Sequence, residues 1–210
     1  MDIKYHLGCG EKYFEGYINV DYPQSQHTVA NIKADIYENL LKLKYESCQE
    51  IRSHHVFEHF NYIESMALLV KWTKALTLEG LLRIDVPDLE ALCSSLLESY
   101  KNGYILKSFK VLRLLFGSHE SDWAYHINGW TPQTLSYVLE RFGYEAQLPR
   151  HYGNPQADFP NCGVDMLFIK KEEKSNIVEI AKEILNFYTD PVEDPLRQYF
   201  HKELDKLLCQ

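Results

Sequence analysis

Long hydrophobic runs are missing from this chain. No apolar stretch approaches the roughly 20 residues of a membrane span, so no integral membrane segment is expected. Cations are also scarce: Lys and Arg number 22 against 30 Asp and Glu, a net charge of −8. That balance argues against nucleic-acid binding through bulk phosphate neutralisation. The five cysteines (Cys9, Cys48, Cys93, Cys162, Cys209) are odd in number, scattered, and form no Cys-x-x-Cys pair. Such usage excludes a disulfide frame or a cysteine zinc site and fits reduced thiols in a cytoplasmic protein. Met1-Asp2-Ile3-Lys4 enters a strand-like run with no charged-then-apolar leader. Internal repeats and low-complexity stretches are lacking, and no Gly-x-x-x-x-Gly-Lys-Ser/Thr phosphate loop occurs. What remains is a chain of 210 residues, enough for one domain with a substantial core.

Short apolar runs alternate with helical periodicity. Strands are predicted over Ile3–Leu7, Tyr17–Val20, Ile32–Ile36, Glu50–Val56, Leu81–Val86, Ala146–His151 and Val164–Lys170. Helices are predicted over Tyr62–Leu76, Leu89–Tyr100 and Pro132–Phe142, the last with Thr131 as N-cap and Gly143 closing it. This alternation predicts a doubly wound, mainly parallel α/β sheet with helices on both faces. Residues 1–171 form that Rossmann-like domain, with 103–130 as an insertion or lid, and 172–210 form a helical tail. The tail's apolar stripe (Ile177, Ile180, Ala181, Ile184, Leu185) must pack on the core or on a second subunit, so a homo-oligomer is one outcome. Only residues 11–16 separate Gly10 from Tyr17, too few for the usual crossover of about a dozen residues. The first crossover helix is therefore expected to have shrunk to a turn.

The ends of the first two strands carry the chemistry. Gly8-Cys9-Gly10 ends one apolar run and Asp21 ends the next. Glycine lets backbone approach a ligand closely, and a strand-end carboxylate can accept both hydroxyls of a ribose. Taken singly, the glycines could make only a tight turn and Asp21 only a helix cap. The dinucleotide fingerprint Gly-x-Gly-x-x-Gly fails, because its third position is Tyr13 and Asp21 comes far sooner than the usual acidic residue. A cofactor without a pyrophosphate fits better.

At this point the chain resembles the class I S-adenosylmethionine-dependent methyltransferases, and within them a small-molecule or glycan-associated subgroup. The resemblance rests on His6-Leu7-Gly8-Cys9-Gly10, Gly16-Tyr17-Ile18-Asn19-Val20-Asp21 and Ala34-Asp35-Ile36. It continues through Glu50–His59 and Leu76–Asp88, with Gly129-Trp130-Thr131 matching more loosely. It implies that Gly8, Cys9 and Gly10 face the methionine part of S-adenosyl-L-methionine and that Asp21 binds its ribose. Asp35 and Ile36 would meet the adenine, and His54 and His55 would lie beside the sulfonium and the acceptor. The family often has an acidic residue where His6 stands and a small one where Lys12 stands; Lys12 would then reach the cofactor's carboxylate.

An oxygen acceptor usually requires a base, and His55, His119 and His126 are the candidates, with His55 and His126 preferred. His55–His59 also spells H-x-x-E-H, the spacing of a helical zinc protease, but residues 50–56 read as a strand entering a loop. No metal site is assigned on that ground, and Glu58 and His59 are expected to shape the loop. Ile105–Phe116 carries Lys107, Lys110 and Arg113 at three-residue spacing. It could sit on an anionic lipid surface or grip a phosphorylated acceptor; alternatively its apolar face packs on the core and leaves the cations solvated. Asp88 is read as the cap of the Leu89 helix, and Asp85 receives no role. The expected activity is methyl transfer to a small molecule or a glycan precursor. The rival reading is a regulatory or scaffolding protein that binds the cofactor without turnover.

Overall fold

The computed structural model describes residues 3–23, 28–34 and 43–209. Four strands open the chain: β1 (Lys4–Leu7), β2 (Ile18–Asp21), β3 (Ile32–Lys33) and β4 (Cys48–His54). Helix α1 (Tyr62–Ala75) leads into β5 (Leu76–Pro87), followed by α2 (Leu89–Lys101), α3 (Ile105–Phe116) and α4 (Pro132–Arg141). Strands β6 (Tyr144–Ala146), β7 (Arg150–Tyr152) and β8 (Gly163–Lys170) come next, and α5 (Ile177–Leu185) and α6 (Asp194–Cys209) form the tail. The helix starts follow local chemistry. Asn61 accepts from the N–H groups of Ile63 and Glu64 while the Glu64 carboxylate takes the Asn61 N–H, and Thr131 caps α4 ahead of Pro132.

The strands form one sheet in the order β3-β2-β1-β4-β5-β8, with β6 and β7 both on the outer side of β8. Strands β1 to β5 run parallel, and β8 runs antiparallel to β5. β1 and β2 are neighbours despite their short connection, and turns replace the crossover helix between them. The expected Ala146–His151 strand is split. Ala146 pairs Phe168 but Arg150 pairs Asp165, so the outer strand holds one extra residue around Leu148 and Pro149, where proline offers no N–H to the ladder.

One face of the sheet is apolar: Tyr5, Leu7, Ile51, Leu82, Ile84, Val86, Met166 and Phe168 alternate toward it. They join α1, α4 and the tail in a single core. The tail stripe is spent there, since Ile177, Ile180, Ala181, Ile184 and Leu185 are buried on that core and α5 and α6 both pack against α1. This answers the choice between core and second subunit for that stripe. Lys170 is fully buried at the end of β8, where its ammonium donates to the carbonyls of Thr73 (2.8 Å) and Leu76 (2.7 Å) at the end of α1 and pairs with Glu173. The opposite sheet face is charged among the described residues. Lys4 pairs with Glu50, Arg83 with Asp165, and Arg52 lies over the Phe14 ring.

Helix α3 packs part of its apolar face, Val111, Leu114 and Leu115, with Leu92 of α2, but its cations also find partners in the protein. Lys107 is buried and donates to the Pro155 carbonyl, Lys110 pairs with Asp158, and the exposed Arg113 lies over Phe159. Leu106, Phe109 and Phe116 face solvent. Lys107 is thus withdrawn from solvent, while Lys110 and Arg113 stay accessible beside the 155–159 loop.

Candidate functional site

The carboxyl ends of β1, β2, β4 and β5 meet at one edge of the sheet, and the chain turns there in ways only certain residues allow. Gly8 sits at φ +67°, and a Cβ on it would lie 1.8 Å from Val56 Cγ2. Its glycine is therefore required by packing against the β4 loop. Gly10, at φ +51°, has open space where a Cβ would be, which is the side a ligand can approach. The amides of Gly8 and Cys9 both donate to the Val20 carbonyl, tying the turn to β2. The Cys9 side chain is buried, with its Sγ beside Thr28 Oγ1.

Asp21 is buried at the end of β2. Its Oδ2 accepts the Gly10 N–H (3.0 Å) and its Oδ1 the Tyr22 N–H (2.8 Å). Each oxygen keeps a lone pair, so the carboxylate is oriented yet still able to accept hydroxyls. Asp35 and Ile36, the expected adenine contacts, lie outside the described residues. His6 does not reach the turn. It is fully buried, its Nδ1 meets Asn19 Oδ1 at 3.1 Å, and its Nε2 has no partner. Burial, helped by the positive charges of Arg52 and Lys12 and opposed by the Asn19 bond, pushes its pKa down to about 4.

Beside the turn lies a continuous hydrogen-bonded chain. The Lys12 ammonium can only donate, so at 2.8 Å it fixes His54 Nε2 as an acceptor and leaves the proton on Nδ1. That N–H donates to Asp85 Oδ2 at 2.6 Å, across the register that pairs His54 with Asp85. Tyr152 donates its O–H to Asp85 Oδ1 (2.8 Å), and its oxygen faces His55 Nε2 at 2.9 Å. His55 Nδ1 in turn meets Glu58 Oε1 at 3.1 Å. With Glu58 at one nitrogen and the tyrosine oxygen at the other, both His55 nitrogens face acceptors, which favours the imidazolium charge. Burial opposes that charge, but the Glu58 bond and carboxylate outweigh it and raise the pKa. Burial likewise opposes the Asp85 carboxylate, and the bonds from His54 and Tyr152 prevail and lower its pKa. His55 also adopts φ +51°, a left-handed backbone that is costly for a residue with a Cβ.

A turn of 3-10 helix over Phe57–His59 follows. Phe57 anchors it in the core, stacked on Trp130 at 5.0 Å and tilted against Trp72. The Glu58 carbonyl accepts the N–H groups of Ile127 and Asn128, which pins the 117–130 segment against the turn. His126 thereby comes to rest with its Nε2 3.9 Å from Glu58 Oε1, while its Nδ1–H donates to the Leu114 carbonyl. Burial lowers the His126 pKa, against the opposing pull of the Glu58 carboxylate. The H-x-x-E-H helix of a zinc protease is absent here: His55 precedes the turn and points to Glu58, so His55 and His59 do not share a helical face. His119 is an exposed loop residue stacked on Tyr125.

Solved structures share this architecture. A methyltransferase dependent on S-adenosylmethionine from Archaeoglobus fulgidus superposes with a TM-score of 0.53, 17% identity, and coverage of 80% of this chain and 86% of that one. The fold is that of the S-adenosylmethionine-dependent methyltransferases. Another such enzyme, from Methanosarcina mazei, gives 0.52 at 13% identity over 82% of this chain and 93% of its own. A chain from the complex of the Haloferax volcanii Trm112 methyltransferase activator with a candidate methyltransferase gives 0.54 at 12%, over 82% and 83%. No protein-family model and no curated protein sequence matches the chain.

The sheet edge thus gathers Gly8, Gly10, Asp21, His54 and His55, all expected from the sequence. Asp85 and Tyr152, which join them, were not. Asp85 was visible as a lone acid among Leu82, Ile84 and Val86 at the far end of β5. No sequence signal pointed to Tyr152, whose place depends on the shifted register of β7.

Proposed function

We propose that this protein is an S-adenosylmethionine-dependent methyltransferase acting on a small molecule or a glycan precursor. The observation that carries the reading is the oriented Asp21 carboxylate bonded to Gly10 at the mouth of the β1 turn, with a face of that turn open to a ligand. The cofactor supplies a methyl group on a positive sulfur, so the chain has chiefly to bind, orient and exclude water. Asp21 is assigned the ribose, the Gly8–Gly10 backbone the methionine part, and Lys12, held on His54, its carboxylate. Asp35 and Ile36 are assigned the adenine. His55 and His126 are assigned to the acceptor side, with 103–130 covering it, and the protein is read as cytoplasmic.

Calorimetry with S-adenosylhomocysteine tests the reading. Binding by the native protein is expected, and Asp21→Ala should weaken it by about 1.5–3 kcal/mol, as for a hydrogen bond to a charged group. Unchanged affinity would remove Asp21 from the site, and no binding by the native protein would refute the cofactor. His126→Ala should reduce turnover more than cofactor binding; equal losses in both would move His126 away from the acceptor. The buried His6, where the family often has an acid, favours one rival: a protein that binds the cofactor without turnover. Binding with no methyl transfer across a broad acceptor screen would select it.

A further inference from the structure

Glu58, His59 and His126 each bring one atom able to ligate a metal to a common point. Their ligand atoms all lie within 4.8 Å of one another. The Nδ1 of His59 donates to the Tyr125 carbonyl (2.9 Å) and that of His126 to the Leu114 carbonyl (3.0 Å), so each neutral ring has its ligating lone pair on Nε2. Backbone carbonyls fixing the distal nitrogen are what metal-ligating histidines usually have. Glu58 is almost fully buried, its Oε1 is steadied by His55, and its Oε2 has no partner at all. Oε1 also lies 3.9 Å from His126 Nε2, and a buried carboxylate with one oxygen unpartnered is electrostatically incomplete. A cation completes it.

We propose that Glu58, His59 and His126 form a divalent-cation site beside the acceptor end of the sheet. Two imidazoles and one carboxylate suit a first-row ion such as Zn²⁺, Co²⁺ or Mn²⁺ better than Mg²⁺ or Ca²⁺. Ligands at about 2.1 Å from an ion sit closer together than the present spread, so a small closure of the side chains is implied. Three protein ligands leave positions open for water. The unpartnered donors Asn128 Nδ2 and Trp130 Nε1 line the same small pocket as Glu58 and His126 and can bind oxygens held there. That an acceptor hydroxyl takes an open position rests on the methyl-transfer reading; the cation site itself does not. The neighbouring His54–His55–Asp85 group is not a second site, because the Lys12 ammonium already occupies His54 Nε2.

The test uses full-length, tag-free protein stripped by chelator and titrated with Zn²⁺ in a calorimeter and with Co²⁺ by visible absorption. One equivalent of each is expected, with Glu58→Gln and His126→Ala each weakening binding at least tenfold and His201→Ala, on the distant α6, leaving it unchanged. Absence of stoichiometric binding, or binding that survives both ligand substitutions, overturns the site. Should Glu58→Gln fail to fold in a melting curve, His126→Ala decides alone. A parallel titration with S-adenosylhomocysteine separates the two readings, since its failure would sink the methyltransferase and leave the cation site standing.

Discussion

Acid should destabilise this protein through one residue above others. His6 is fully buried with an unpartnered Nε2, so protonating it would place an N–H cation where no acceptor exists. Its pKa is about 4 in the fold against the ordinary 6.5. Between those values the unfolded chain binds a proton that the folded chain refuses, so stability is complete above pH 6.5 and falls as pH drops through the window. At about 1.4 kcal/mol per pH unit, the loss is about 2 kcal/mol at pH 5 and about 3 kcal/mol once pH passes below 4. That is a large share of the roughly 5–15 kcal/mol that holds a typical domain together. Urea unfolding at pH 7.5 and pH 5 measures it, with His6→Phe as the comparison. Phenylalanine keeps the edge contact to Phe14, and Asn19 Oδ1 still accepts the Phe14 N–H. The variant should lose about 2 kcal/mol less than the native protein between the two pH values. Equal losses in both proteins would refute the assignment.

Two other substitutions probe the frame of the site. Gly8→Ala should destabilise by more than about 1 kcal/mol, because both the left-handed backbone and Val56 oppose a Cβ; adding Val56→Ala should restore only part of the loss in thermal unfolding. Lys170→Met removes the donor to Thr73 and Leu76 and strands two buried carbonyls, which should cost about 2–4 kcal/mol by urea titration. No loss would mean that water reaches those carbonyls.

Much of the architecture could be read locally, because its signals are local. Asn61 with Glu64, Thr131 with Pro132, and the alternation of Leu82, Ile84 and Val86 each state their own conformation within a few residues. The Gly8–Gly10 turn and Asp21 were legible for the same reason. Long-range partners were not. Asp85 acquires its place from Tyr152, which lies 67 positions along the chain, and the partners of Lys107 and Lys110 on α3, Pro155 and Asp158, each lie 48 positions away. His55 and His126 were both suspected, but the backbone bonds of Glu58 that bring their loops together have no sequence pattern.

The one-residue slip around Leu148 and Pro149 reaches beyond the site. An outermost strand is a template on which another chain can pair, and natural sheets blunt it with bulges and prolines. Here the ladder positions on β6 and β7 are out of step, one of the residues between them lacks an N–H, and Leu148 projects into solvent. A neighbouring strand could match one half of this edge only by mismatching the other. The sheet is sealed on that side against edge-to-edge growth, so Pro149→Val should make the protein more prone to aggregate while leaving the cofactor edge untouched.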